Sequence, residues 1–201
     1  MTPREQKLIE RLKERVKDFG RAADEGLAKV YAPVKARIVA AAERELWFQF
    51  PDLLRAVYTQ VGNGGFGRGY GIIGIQGGAT DEFRRSLARV YQDMKQYQED
   101  SPLWCWPEQL LPVCRLGCGM WSCLDCRRAS VPVFIFDPNN LQSDPDDDEE
   151  TRLRWVNSFW FESRSFVAWL ESWLNDKPEE EPRWPSRDWL KGRIGYVPKG
   201  W

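Results

Sequence analysis

Between residues 61 and 67 the chain reads Val61-Gly62-Asn63-Gly64-Gly65-Phe66-Gly67. Neither a helix nor a strand passes through such a segment. Glycine loses the most backbone freedom on ordering, and it is used where φ must turn positive. The chain must therefore change direction and element type here. Upstream, Pro51 opens a short helical pattern carrying Leu53, Leu54, Val57 and Tyr58, and downstream Tyr70-Gly71-Ile72-Ile73-Gly74-Ile75 reads as a strand. A phosphate cradle would need G-x-x-x-x-G-K-[ST], or a G-x-G-x-x-G between a strand and a helix. Here the glycines follow a helix and precede a strand, so Gly64 and Gly65 are read as turn residues.

The flanking patterns extend this reading. Thr2-Pro3-Arg4-Glu5 has the form of a capping box. Leu8, Ile9, Leu12, Val16 and Phe19 follow at helical spacing, with Gly20 and Gly26 bracketing the end. A second helical pattern covers about Val34 to Leu46. A third covers Thr80 to Gln98, with Thr80 as cap and Phe83, Leu87, Val90, Tyr91 and Met94 as its inner face. Strands are expected at Leu110–Leu116, Met120–Cys126, Val131–Phe136 and Arg154–Phe161, and a closing helix at Ser163–Leu174. Gln142 to Glu150 reads as an acidic, solvated loop. Helices, then a strand meander, then a helix predict an α+β fold around a mostly antiparallel sheet of about four to six strands. The expected organisation is a helical extension over 1–35, a domain over 36–176 and a Pro- and Trp-rich tail over 177–201, which shows no clear periodicity.

Composition narrows function. The chain has 11 Trp and no His. Trp is enriched at protein–protein contacts, and the absence of His removes the commonest general base and metal ligand. The five Cys include Cys114-x3-Cys118-x4-Cys123-x2-Cys126. A zinc site normally uses two short knuckles separated by a longer loop. Cys123 and Cys126 would instead fall on opposite faces of one strand, so buried, reduced thiols are expected, with no cofactor. Asp125 and Glu108 could serve as acid and base, but a backbone-bonded Asp125 and a surface Glu108 is the favoured reading. Residues 137–190 carry 6 Lys and Arg against 14 Asp and Glu, whereas residues 1–45 carry 11 against 8. That asymmetry suits a basic protein partner and not nucleic acid. The run Asp144, Asp146, Asp147, Asp148, Glu149 and Glu150 lacks calcium-loop spacing and is read as a lure for that partner. No export signal or membrane-length apolar run stands out, so a cytoplasmic address is expected.

Four ordered blocks carry a resemblance. They are Phe50-Pro51-Asp52-Leu53-Leu54 leading into Asn63-Gly64-Gly65; Trp106-Pro107-Glu108 with Gly117-Cys118-Gly119 and Cys123-Leu124-Asp125-Cys126; Val131 to Asp137; and Ser165-Phe166-Val167-Ala168-Trp169-Leu170. Together they resemble the SUKH superfamily, also called Smi/Knr-like, over roughly residues 36 to 175. The resemblance implies an α+β fold, a role in binding another protein and no general catalytic motif. Among bacterial members it implies an immunity protein that neutralises a toxin domain, often a nuclease. The alternative is a regulatory scaffold with no toxin partner. The resemblance makes Asn63, Gly64, Gly65, Trp106, Pro107, Gly117, Cys118, Asp125 and Trp169 motif residues.

Overall fold

A capping box starts the first helix. The Thr2 backbone N–H donates to Glu5 Oε2 at 2.6 Å and the Glu5 N–H donates to Thr2 Oγ1 at 3.3 Å, which satisfies two N–H groups that a helix start leaves open. The computed structural model describes residues 1–23, 29–97, 101–141, 148–177 and 183–197. Helix α1 (Pro3–Ala23) ends between Gly20 and Gly26, as expected. Its buried stripe of Leu8, Ile9, Leu12 and Val16 packs on the turn Val57–Val61 and on the helix Phe166–Leu174. Helices α2 (Ala36–Leu46) and α3 (Asp52–Ala56) follow, and α3 runs on as a π-helical turn over Val57–Val61. The buried Glu43 carboxylate clamps the reversal between α2 and α3. It accepts from the Phe50 N–H at 2.7 Å and, bidentately, from Arg55 at 2.6 and 2.8 Å.

The sheet has four antiparallel strands in chain order: β1 (Leu110–Gly117), β2 (Met120–Asp125), β3 (Val133–Phe136) and β4 (Phe159–Ser163). The α+β expectation holds, and so does the meander of the first three strands. One face buries an aromatic cluster in which Trp106 meets Phe136 edge-on at 4.9 Å and Trp155 meets Phe159 at 5.1 Å. Each such ring removes about 150–250 Å² from water, and this accounts for much of the unusual Trp content. Helix α6 (Phe166–Leu174) is capped by the Ser165 hydroxyl, which accepts from the Ala168 N–H at 3.1 Å. It buries Phe166, Trp169 and Leu170. Among the described residues no helix is long and apolar enough to cross a membrane.

Several expected elements are corrected. The helix expected from Thr80 is only α4 (Leu87–Met94). The Asp81 carboxylate takes the backbone N–H groups of Phe83 (3.1 Å) and Arg85 (2.8 Å), and Arg84 sits at φ 60°. This local bonding competes with the helix and leaves Phe83 exposed, not on an inner face. The run from Tyr70 to Ile75 forms no strand; a single bridge joins Ile72 to Cys114. The glycines at 71 and 74 interrupt the ladder. The strand expected at Arg154 begins at Phe159, because Asp148–Asn157 forms helix α5. Asp148, Glu149 and Glu150 therefore open a helix instead of closing a loop, while Asp144, Asp146 and Asp147 lie outside the described residues. β3 starts at Val133, since Val131 takes φ 48°, costly for a β-branched residue.

The segment 183–197, which has no legible periodicity, is docked. Helix α7 (Arg187–Trp189) and a π-helical turn over Leu190–Ile194 bring Trp189 and Leu190 into the core. The Trp189 ring stacks on Phe134 with centroids 4.2 Å apart.

Candidate protein-interaction site

The glycine turn builds one side of the site. Gly65 has φ 86°, and a Cβ there would stand 2.0 Å from the Lys29 carbonyl oxygen, so only glycine lets the backbone approach so closely. Asn63, fully buried, braces the loop. Its Oδ1 accepts from the Ile75 N–H at 2.9 Å and its Nδ2 donates to the Gln76 carbonyl at 3.1 Å. The chain leaving this loop is tied to β1, where the Tyr70 N–H donates to the Arg115 carbonyl at 2.9 Å.

Two large rings stand out of this frame. Tyr70 is 71% exposed and Phe83 is 69% exposed. An arginine covers each: the Arg115 guanidinium lies 5.1 Å from the Tyr70 centroid and that of Arg85 lies 4.9 Å from Phe83. Both cations are anchored. Arg115 pairs with Glu82, and Arg85 reaches Asp81 at 2.7 Å and Asp93 at 3.0 Å. The rings are thus held in place before any partner arrives, which lowers the entropy cost of binding. Beside Phe83 runs a groove of about 400 Å³, lined by Met94, Tyr97, Trp121 and Pro138 with Arg85 and Arg115. Exposed aromatic rings and arginines next to a concave apolar floor match the residue types that dominate binding hot spots.

The residues singled out in the sequence fall into three places. Asn63, Gly64 and Gly65 form the loop that leads to Tyr70, with Asn63 bonded to Ile75 and Gln76. Gly117 (φ 103°) and Cys118 (φ 50°) make the β1–β2 turn, where a Cβ on Gly117 would stand 3.4 Å from the Tyr70 ring. Trp106, Pro107, Asp125 and Trp169 are buried and cannot meet a partner. The Trp106 indole donates to the Leu110 carbonyl at 2.9 Å and that of Trp169 to Glu162 Oε1 at 3.0 Å. Asp125 accepts from the Arg127 N–H as expected, and from the tail as well. Asp148, Glu149 and Glu150 are exposed on the first turn of α5. Glu108 is exposed too. Tyr70, Phe83, Arg85 and Arg115 were not legible as a set; the available signal was Asp81, placed to turn the chain before the helical pattern begins.

The cysteines do not converge. Burial pushes the thiols of Cys114, Cys123 and Cys126 up, while Cys105 and Cys118 are exposed. Among the described residues no three His, Cys, Asp or Glu side chains are placed to hold a metal ion. Burial also raises the Glu162 carboxyl, with the Ser122 hydroxyl, the Trp169 indole and the Arg68 charge acting against it.

Residues 33–172, well over half of the chain, match the model described as SMI1 / KNR4 family (SUKH-1). The match spans the glycine turn, all four strands and most of α6, and leaves out α1 and the docked tail. Compared with curated proteins, the chain has no match.

Proposed function

The chain belongs to the SMI1 / KNR4 family (SUKH-1), and on that premise we propose that it is a non-catalytic protein-binding module: an immunity protein that neutralises a toxin domain in the cytoplasm by direct binding. The observation that carries this reading is the pair Tyr70 and Phe83, two exposed rings each fixed beneath an anchored arginine. Leaving such rings in water costs solubility, and the placement of Phe83 and of Arg115, the cation over Tyr70, in a groove suits capture of another protein surface. The negative charge of residues 137–190 supports a basic partner such as a nuclease, which it would draw in before the rings lock the complex.

The test is co-expression with any toxin domain found to be encoded beside its gene, together with measured affinity. Tyr70→Ala and Phe83→Ala are each expected to weaken binding by about ten-fold or more and to reduce protection of the cell. If both variants bind and protect as well as the parent, this face is not the site. If no neighbouring toxin is bound or neutralised, the immunity reading fails and a regulatory scaffold takes its place.

A further inference from the structure

Trp47 is the most exposed tryptophan among the described residues. Trp104, Trp106, Trp121, Trp155, Trp169 and Trp189 are all buried and Trp184 is 40% exposed, but Trp47 is 93% exposed. Its backbone is unusual as well. It closes α2 in the left-handed region at φ 63°, a position where glycine is usual and where a side chain costs about 1–2 kcal/mol. The reversal beneath it is fixed by the Glu43 clamp on Phe50 and Arg55, so the ring is held out in solvent. A residue that both strains the backbone and exposes an indole contributes nothing to the fold that glycine would not do better.

The surroundings indicate what would cover it. Gln49, two residues on and so within about 7 Å along the chain, lines a cavity of about 880 Å³. Phe50, Leu53 and Phe166 give this cavity an apolar floor, and Arg4, Arg127 and Arg128 lie on its wall. Arg4 is engaged by Glu171 and Arg128 lies 3.7 Å from Asp125. Arg127 has no carboxylate partner among the described residues. Of the acids in the lining, Glu5 serves the capping box and Asp52 faces the terminal amine. Arg44, in the last turn of α2 and three residues before Trp47, is exposed as well, while the neighbouring Glu45 accepts from Gln92 at 3.4 Å.

We infer that Trp47 and the adjoining cavity form a second protein-binding site, which takes an acidic segment of a partner. A small anion could meet the arginines but not cover the indole. A chain with alternating apolar and acidic side chains can do both, placing apolar groups on the floor and around Trp47 and carboxylates against Arg127 and Arg44. This charge preference is opposite to that of the acidic 137–190 region, so the two surfaces do not compete for one kind of partner.

The test uses fluorescein-labelled short peptides of alternating Glu and Leu or alternating Lys and Leu, with binding read by fluorescence polarisation. The Glu/Leu peptide should bind at least about ten-fold more tightly than the Lys/Leu peptide, and Trp47→Gly and Arg127→Glu should each weaken it by about ten-fold or more. Trp47→Gly should at the same time keep or raise the melting temperature, which separates loss of a contact from loss of the fold. No binding of the Glu/Leu peptide, equal binding of both peptides, or binding unchanged by Trp47→Gly would overturn the inference. Self-association of the chain that Trp47→Gly abolishes would overturn it too, by assigning the surface to a second copy. The measurement involves no toxin, so its failure leaves the Tyr70–Phe83 reading untouched.

Discussion

The indole N–H of Trp189 donates to Oδ2 of Asp125 at 3.0 Å, which joins the C-terminal segment to the end of β2 inside the core. Asp125 is fully buried, and its other oxygen faces Arg193 at 3.2 Å. The Arg193 side chain is only 5% exposed, so the pair stands largely out of water, where the loss of one partner strands the other charge. Asp125→Ala is expected to cost about 3–5 kcal/mol, and Trp189→Ala a similar amount through the cavity it leaves. Urea unfolding measures both. Unchanged midpoints would mean that the tail is not part of the cooperative unit.

Gly65 and Gly77 make a matched comparison. Both have positive φ, 86° and 74°, but a Cβ on Gly65 would strike the Lys29 carbonyl whereas one on Gly77 would meet nothing within 4 Å. Gly77→Ala should therefore cost only the left-handed penalty of about 1 kcal/mol, and Gly65→Ala at least ~1 kcal/mol more. Equal losses in thermal unfolding would show that the close approach at residue 65 is not tight.

Glu162 sets a pH dependence. Its carboxyl is raised above the ordinary value of 4.5, chiefly by burial. The folded state therefore holds this proton more tightly than the unfolded chain. The stabilisation is full below the unfolded value near 4.5 and is lost as pH rises through the folded value. Glu162→Gln keeps an acceptor for the Trp169 indole and carries no charge. Its stability relative to the parent should improve as pH rises from 4.5 towards neutrality. A constant difference across that window, measured by denaturant titration, would contradict the assignment.

Asp148 and Glu149 open α5, so they have two effects. Acidic side chains in a first turn stabilise a helix by roughly 0.3–1 kcal/mol each. Exposed charges at an interface rim act mainly on association. In the Asp148→Asn, Glu149→Gln variant, thermal stability should fall slightly and association with the toxin should slow at low salt while dissociation changes little. Stopped-flow mixing at two ionic strengths measures this. An association rate and salt dependence equal to the parent's would make the acidic run a solubilising feature only.

The elements with a strong local signal were legible in the sequence. Thr2 and Glu5 announce the start of α1 and Val133-Phe134-Ile135-Phe136 a core strand, and the structure has both; the closing helix expected from Ser163 starts at Phe166, after the Ser165 cap. Where a side chain competes with the periodic pattern, the pattern misleads. Asp81 bonds its own backbone neighbours and removes Phe83 from the expected helix face. Glu150, expected in a loop, and Arg154, expected to open a strand, pair at i,i+4 within one helix.

What the sequence determined by itself is therefore whatever neighbouring residues settle among themselves: the capped start of α1, the break at Asn63-Gly64-Gly65, the strand at Val133–Phe136, and the charge of each region. Only the tertiary structure decided which rings are buried and which are displayed. Composition alone cannot distinguish Trp189, hidden against Asp125, from Trp47, held in solvent by the Glu43 clamp. The physical reason is that burial depends on contacts between residues far apart in the chain. Asp125 and Trp189 stand 64 positions apart, and Tyr70 gains its arginine from β1, so no local pattern records either pairing.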